Sequence, residues 1–127
     1  MKRNLLQWTV ALFGVIALMV VARGDDPQNN IKEVMRKANG SADKSKPTLC
    51  AKVISGKASK EEKDELLALY KDLAASKCPR GDEKDWTKRT EALVNAAEAV
   101  VNGDKGAEAK LKKANDCMGC HTGHKGR

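Results

Sequence analysis

Aromatic side chains are scarce in this chain. Its 127 residues include one Phe, one Tyr and two Trp, 3% in all. A core this poor in rings must rely on Leu, Val and Ala, or on a body that is not an amino acid. The β-branched residues are few and scattered, which argues against a sheet. There is no aromatic–basic platform and no single dense run of lysines, so nucleic acid is excluded as the expected partner. No internal repeat and no strong low-complexity segment occurs.

What is present favours helix. Ala, Lys, Glu and Leu dominate after residue 30, and all four are good helix formers. The formal net charge is +7. Lys2, Arg3 and Arg23 lie in or beside the apolar N-terminal stretch, and without them +4 remains. The remaining charges are interspersed with acids and read as solvated helix faces, with a weak bias toward acidic partners.

The chain opens MKRNLLQWTVALFGVIALMVVARGDD. Two basic residues precede an apolar run from Leu5 to Ala22, the pattern of a secretory signal. Small residues allow cleavage after Ala22 or Gly24, so residues 1–24 are expected to be a signal peptide. The run is also near the ~17–25 residues that span a bilayer, so an uncleaved N-terminal anchor is the rival. No cysteine follows the run, which excludes a lipoprotein anchor. Either way residues 25–127 are expected to be periplasmic or otherwise exported, where disulfides persist. Membrane association is expected only if the segment is uncleaved.

Four helical units follow. Ile31, Val34 and Met35 form an apolar face that ends at Asn39-Gly40. A second piece of this unit, Thr48 to Ile54, follows the loop SADKSKP. Ser59 and Glu62 read as a capping box, opening a helix with Leu66, Leu69, Tyr70 and Leu73 on one stripe. Asp82 can cap the next, whose stripe is Trp86, Thr90, Leu93, Val94, Ala97, Val100 and Val101. Asp104 is read as the cap of the last helix, with Ala107, Leu111, Ala114, Met118 and His121 on one face. Short connections favour antiparallel neighbours, so the fold class expected is all-α, an antiparallel four-helix bundle. The last stripe lacks bulk, as if something large were missing from the core.

Near the C-terminus stands Cys117-Met118-Gly119-Cys120-His121. A zinc site wants four protein ligands; His124 could join the three here, but ligands crowded on a chain end make poor tetrahedral geometry. A thioredoxin-like pair belongs at the start of a helix that follows a strand; no strand is expected, and the motif reads as late in a helix. Covalent haem fits best. Cysteines at i and i+3 share a helical face, each able to bond a vinyl group. His121 can bind the iron, export supplies the compartment for attachment, and Cys-x-x-Cys-His is the c-type signature. One haem c, held by Cys117 and Cys120, also explains the missing bulk.

By helix order over about residues 27–127 and by motif position, the chain resembles the class II c-type cytochromes, the cytochrome c prime group. These are four-helix bundles with the haem motif on the last helix. The resemblance implies a basic residue four places after the axial histidine, here Lys125. The chain departs from the family in its first helix, interrupted by NGSADKSKP.

The sixth iron position divides two functions. His124 lies too near His121 to reach round, Met1 and Met19 belong to the export segment, and Met118 is inside the motif. That leaves Met35 on the first helix, and related bundles with methionine ligation draw it from there. Its rival role is a gap-filling core residue. With His121 and Met35 on the iron, the expectation is a single-electron carrier, not an enzyme, whose partners are redox proteins; His/Met ligation raises the potential. With an open distal face it would bind NO or CO. A homodimer is compatible with either. Trp86 is expected near the haem or in plain core, and Arg36, Arg89 and Lys113 near a propionate or in water. Cys50 and Cys78, exported and even in number, raise the question of a disulfide, which requires Cα atoms ~4.4–6.8 Å apart. A helical hairpin would hold them apart, while a break at Pro47 would let them meet.

Overall fold

The computed structural model describes residues 27–125. The expected export segment, residues 1–24, lies outside them. Six α-helices and no strand occur among the described residues. They are α1 (Pro27–Asn39), α2 (Leu49–Ile54), α3 (Lys60–Ala75), α4 (Glu83–Val101), α5 (Ala107–Ala114) and α6 (Cys117–His124). The chain is all-α. None of these helices is long and apolar enough to cross a membrane.

Side-chain caps set several helix starts. Thr48 Oγ1 accepts a hydrogen bond from the Ala51 amide at 3.1 Å. Ser59 Oγ accepts from the Glu62 amide at 3.2 Å, while the Glu62 carboxylate accepts from the Ser59 amide at 3.0 Å. This is the capping box expected from sequence. Asp82 Oδ1 accepts from the Lys84 amide at 3.0 Å. Each such cap stabilises its helix by about 1 kcal/mol.

Burial follows the stripes. Leu66, Leu69, Tyr70 and Leu73 of α3 are buried, as are Trp86, Thr90, Leu93, Ala96, Ala97 and Val100 of α4. Val34 and Ala38 of α1, Val53 of α2, and Ala107 and Leu111 of α5 complete the core. In space α1 packs on α3, α3 on α4 and α4 on α5, with α2 touching α1, α3 and α5. Tyr70 is fully buried and its hydroxyl donates to Cys50 Sγ at 3.2 Å. Burial pushes both the phenol and the Cys50 thiol above their usual ranges, so both stay neutral in the core.

The C-terminal segment corrects the sequence reading. One helix from Asp104 to His121 was expected; the chain instead breaks at Asn115–Asp116 into α5 and α6. Asn115 leaves the helical region at ψ 54°, and the Asp116 carboxylate accepts from the Gly119 amide at 3.0 Å. Short polar side chains compete for backbone amides in this way and favour a restart over continuation. Asp104 does not cap α5 with its side chain; Gly106 occupies the cap position with φ 74°. Met118 leaves the apolar stripe and is 76% exposed.

Candidate functional site

α6 begins with Cys117, so the motif opens a helix of its own. This overturns its placement late in a helix. Cys117 and His121 are exposed, and Cys120 is half-buried against the core. Among the described residues the His121 ring makes no hydrogen bond or ion pair, which leaves its nitrogens available. Burial, helped by Asp85 and Asp116 and opposed by Arg89, raises the Cys120 thiol above its usual range.

A small cavity of about 70 Å³ joins this motif to distant helices. Cys117, Cys120 and His121 line it from α6, Met35 from α1, and Leu73 and Leu93 from α3 and α4. Asn39, one turn after Met35, donates its amide to the Met35 sulfur at 3.8 Å. The expected iron ligand pair, His121 and Met35, therefore faces one space.

No family model, curated protein or solved structure matches the chain.

The donor chemistry suits haem. Two thiols at i and i+3, an unengaged imidazole beside them and a thioether across the cavity are the groups that c-type attachment and His/Met ligation use. The volume is another matter. Pockets that hold drug-sized ligands run to ~300–1,000 Å³, so a porphyrin fits here only if α6 moves outward. Such a movement would have to release Asp116 from Arg89 or His124 from Asp85.

α6 is held to α4 at both ends. At its start, Asp116 Oδ2 lies 3.6 Å from Arg89 Nη1. A Cβ on Gly119 would collide with the Asp116 carboxylate and come within 2.9 Å of Arg89 Nη1, so glycine lets this cap close. At its end, His124 is 3% exposed. Its Nδ1 lies 2.7 Å from the Arg80 carbonyl oxygen and its Nε2 2.8 Å from Asp85 Oδ2. Its ring meets Trp86 edge-on at 5.5 Å. Asp85 Oδ2 also accepts from Arg89 Nε at 2.7 Å. Asp85 and Arg89, one turn apart on α4, thus grip both ends of the motif helix. Hydrogen bonds from Arg89 and then His124 hold the Asp85 carboxyl below the usual carboxylate range. Gly81, at φ 86°, brings the α3–α4 loop against α6: a Cβ there would lie 2.6 Å from the Gly123 carbonyl oxygen.

The buried role of His124 was not anticipated from sequence. Its partners lie 39 and 44 residues away, and no local pattern marks them. Trp86 is buried and donates from Nε1 to the Ser76 carbonyl at 3.2 Å; it packs between helices and on His124. Lys125 is exposed and ends α6, its amide bonded to the His121 carbonyl at 3.3 Å. Arg36 is exposed. Cys50 and Cys78 form no disulfide; both are free. Cys50 Sγ is bonded by Tyr70, while Cys78 Sγ donates to the Arg80 carbonyl at 3.2 Å and lies 3.7 Å from His124 Nδ1.

Proposed function

We propose that this chain is an exported monohaem c-type cytochrome that carries single electrons. The observation that carries the reading is the cavity shared by Cys117, Cys120, His121 and Met35. Cys117 and Cys120 would hold the ring through thioethers, each S–H adding across one vinyl double bond, with the hydrogen going to the neighbouring carbon. His121 would bind the iron from α6 and Met35 from α1. Bound haem would supply the one-electron ferric–ferrous couple. The apolar side chains of Leu73 and Leu93 would exclude water from the ring.

The order of packing, α1 on α3 on α4 on α5, supports the finer reading of an antiparallel four-helix bundle. In it α2 extends the α1 unit, and α5 with α6 make the fourth. The competing zinc reading loses support, because both His124 nitrogens lie against oxygens inside the protein.

A second reading, an NO- or CO-binding protein with an open distal face, draws on one contact. Asn39 already occupies the Met35 sulfur, and ligation requires that bond to be released. The visible spectrum of the protein from an oxidising-compartment extract tests both. Covalent haem gives a c-type band on reduction that survives acid–acetone extraction; its absence sinks both readings. A weak far-red ferric band that is lost in Met35→Ala identifies the methionine ligand. A ferrous spectrum that shifts at once with CO in the unmodified protein selects the open site instead.

A further inference from the structure

We infer that the trough between α4 and α5 is a docking surface for an acidic partner protein. The inference rests on the electron-carrier reading for the partner's role, a redox protein. The trough has a volume of about 580 Å³. Its floor is small and apolar: Ala92, Ala96 and Ala99 from α4, and Ala114 from α5. Residues 88, 92, 96 and 99 recur at helical spacing and share one face of α4. Beside these alanines only the exposed, uncharged Asn95 lines the floor, so another surface can approach the two backbones closely.

Three lysines border the floor: Lys88, Lys110 and Lys113. All three are exposed, and among the described residues none of their ammonium groups has an ion pair or hydrogen bond. The two carboxylates that also line the trough, Asp85 and Asp116, are already engaged by Arg89, His124 and the Gly119 amide. The trough therefore presents uncompensated positive charge around an apolar centre. An apolar patch with a charged rim is the anatomy of a protein interface, and such charge steers an oppositely charged partner and sets its orientation. An enclosed small-molecule site would instead converge a few buried polar groups on its ligand, and this floor has none. The trough runs up to Asp116, the residue before Cys117, so a partner seated there lies beside the helix that would carry the redox group.

Titration of the full-length, isotope-labelled protein in its reduced form with poly-L-glutamate tests this surface by amide chemical shifts. At low salt the shifts are expected to cluster at residues 88–99 and 110–116 and to fade at high salt. Combined Lys88→Glu, Lys110→Glu and Lys113→Glu reversal should weaken binding at least about tenfold. The control reversal of Lys44, Lys46 and Lys57, exposed loop residues, makes the same change in net charge and should leave it within about twofold. A Lys→Gln version of the triple variant serves if charge reversal unfolds the protein. Shifts elsewhere, equal weakening by the control, or binding of oleate to the trough without binding of polyglutamate would overturn the inference. A protein without covalent haem that still binds polyglutamate here refutes the carrier reading and leaves the surface standing.

Discussion

Truncating His124 to alanine should release the C-terminal end of α6 while leaving the rest of the fold in place. The side chain is 3% exposed and lies 2.7 Å from the Arg80 carbonyl, with its ring 5.5 Å from that of Trp86. The lost backbone hydrogen bond costs about 1 kcal/mol net. The edge-on ring contact contributes ~0.5–1.5 kcal/mol, and the hole left behind costs about another 1 kcal/mol. Together these come to about 3 kcal/mol, and loss of the Asp85 contact adds a salt-dependent increment. At 1.4 kcal/mol per factor of ten, local opening of α6 becomes roughly 100-fold more frequent. α6 packs mainly on α4, so the loss should stay local. Hydrogen exchange of the haem-free protein measures it: amides in 117–124 should exchange about 100-fold faster, with α3 and the middle of α4 unchanged. Exchange at 117–124 altered by less than about threefold would refute the two-ended grip. So would equal loosening of α3, which would make His124 an ordinary core residue.

Two further outcomes follow from the same region. Gly81→Ala puts a Cβ 2.6 Å from the Gly123 carbonyl oxygen at a φ of 86°; it should lower stability by at least about 1–2 kcal/mol, read as a fall in the urea midpoint, whereas Gly56→Ala, with open space around it, should cost only the backbone strain. The Asp85 carboxyl is held below its ordinary value by Arg89 and His124, so its contribution is present above the unfolded value of ~3.9 and disappears as pH falls through the folded value; urea midpoints taken from pH 6 downward should therefore fall below about pH 4, and Asp85→Asn should flatten that decline.

Much of the architecture is legible in the residues. The Ser59–Glu62 box, the Asp82 cap and the Trp86-to-Val100 stripe act through neighbours three or four positions away, and local sequence records such contacts. The break before α6 is not legible in the same way. Ala107, Leu111, Ala114, Met118 and His121 keep helical spacing straight through Asn115–Asp116, so periodicity is blind to the change of axis there. Asp116 three residues before Gly119 was the available sign of a new helix start. The Met35–motif cavity could be anticipated by elimination among four methionines. The seating of His124 could not, because it depends on a backbone carbonyl and a carboxylate brought in by the turn between α3 and α4.

The grip on α6 also imposes an order of events. Both of its anchors, Asp85 and Arg89, lie on α4, and Arg80 lies just before it, so they leave the ribosome and any export channel ahead of Cys117. The platform can be assembled while the motif is still emerging. An eight-residue helix is too short to persist alone, so the two thiols and His121 arrive as flexible chain and gain their fixed spacing on landing. Chains cut short before residue 124 keep the Asp116–Arg89 contact and lose the His124 anchor, so they should fold through α5 and hold their last segment at one end only. Their loss of His124 uncovers Trp86, a core ring, so damage at this end exposes apolar surface.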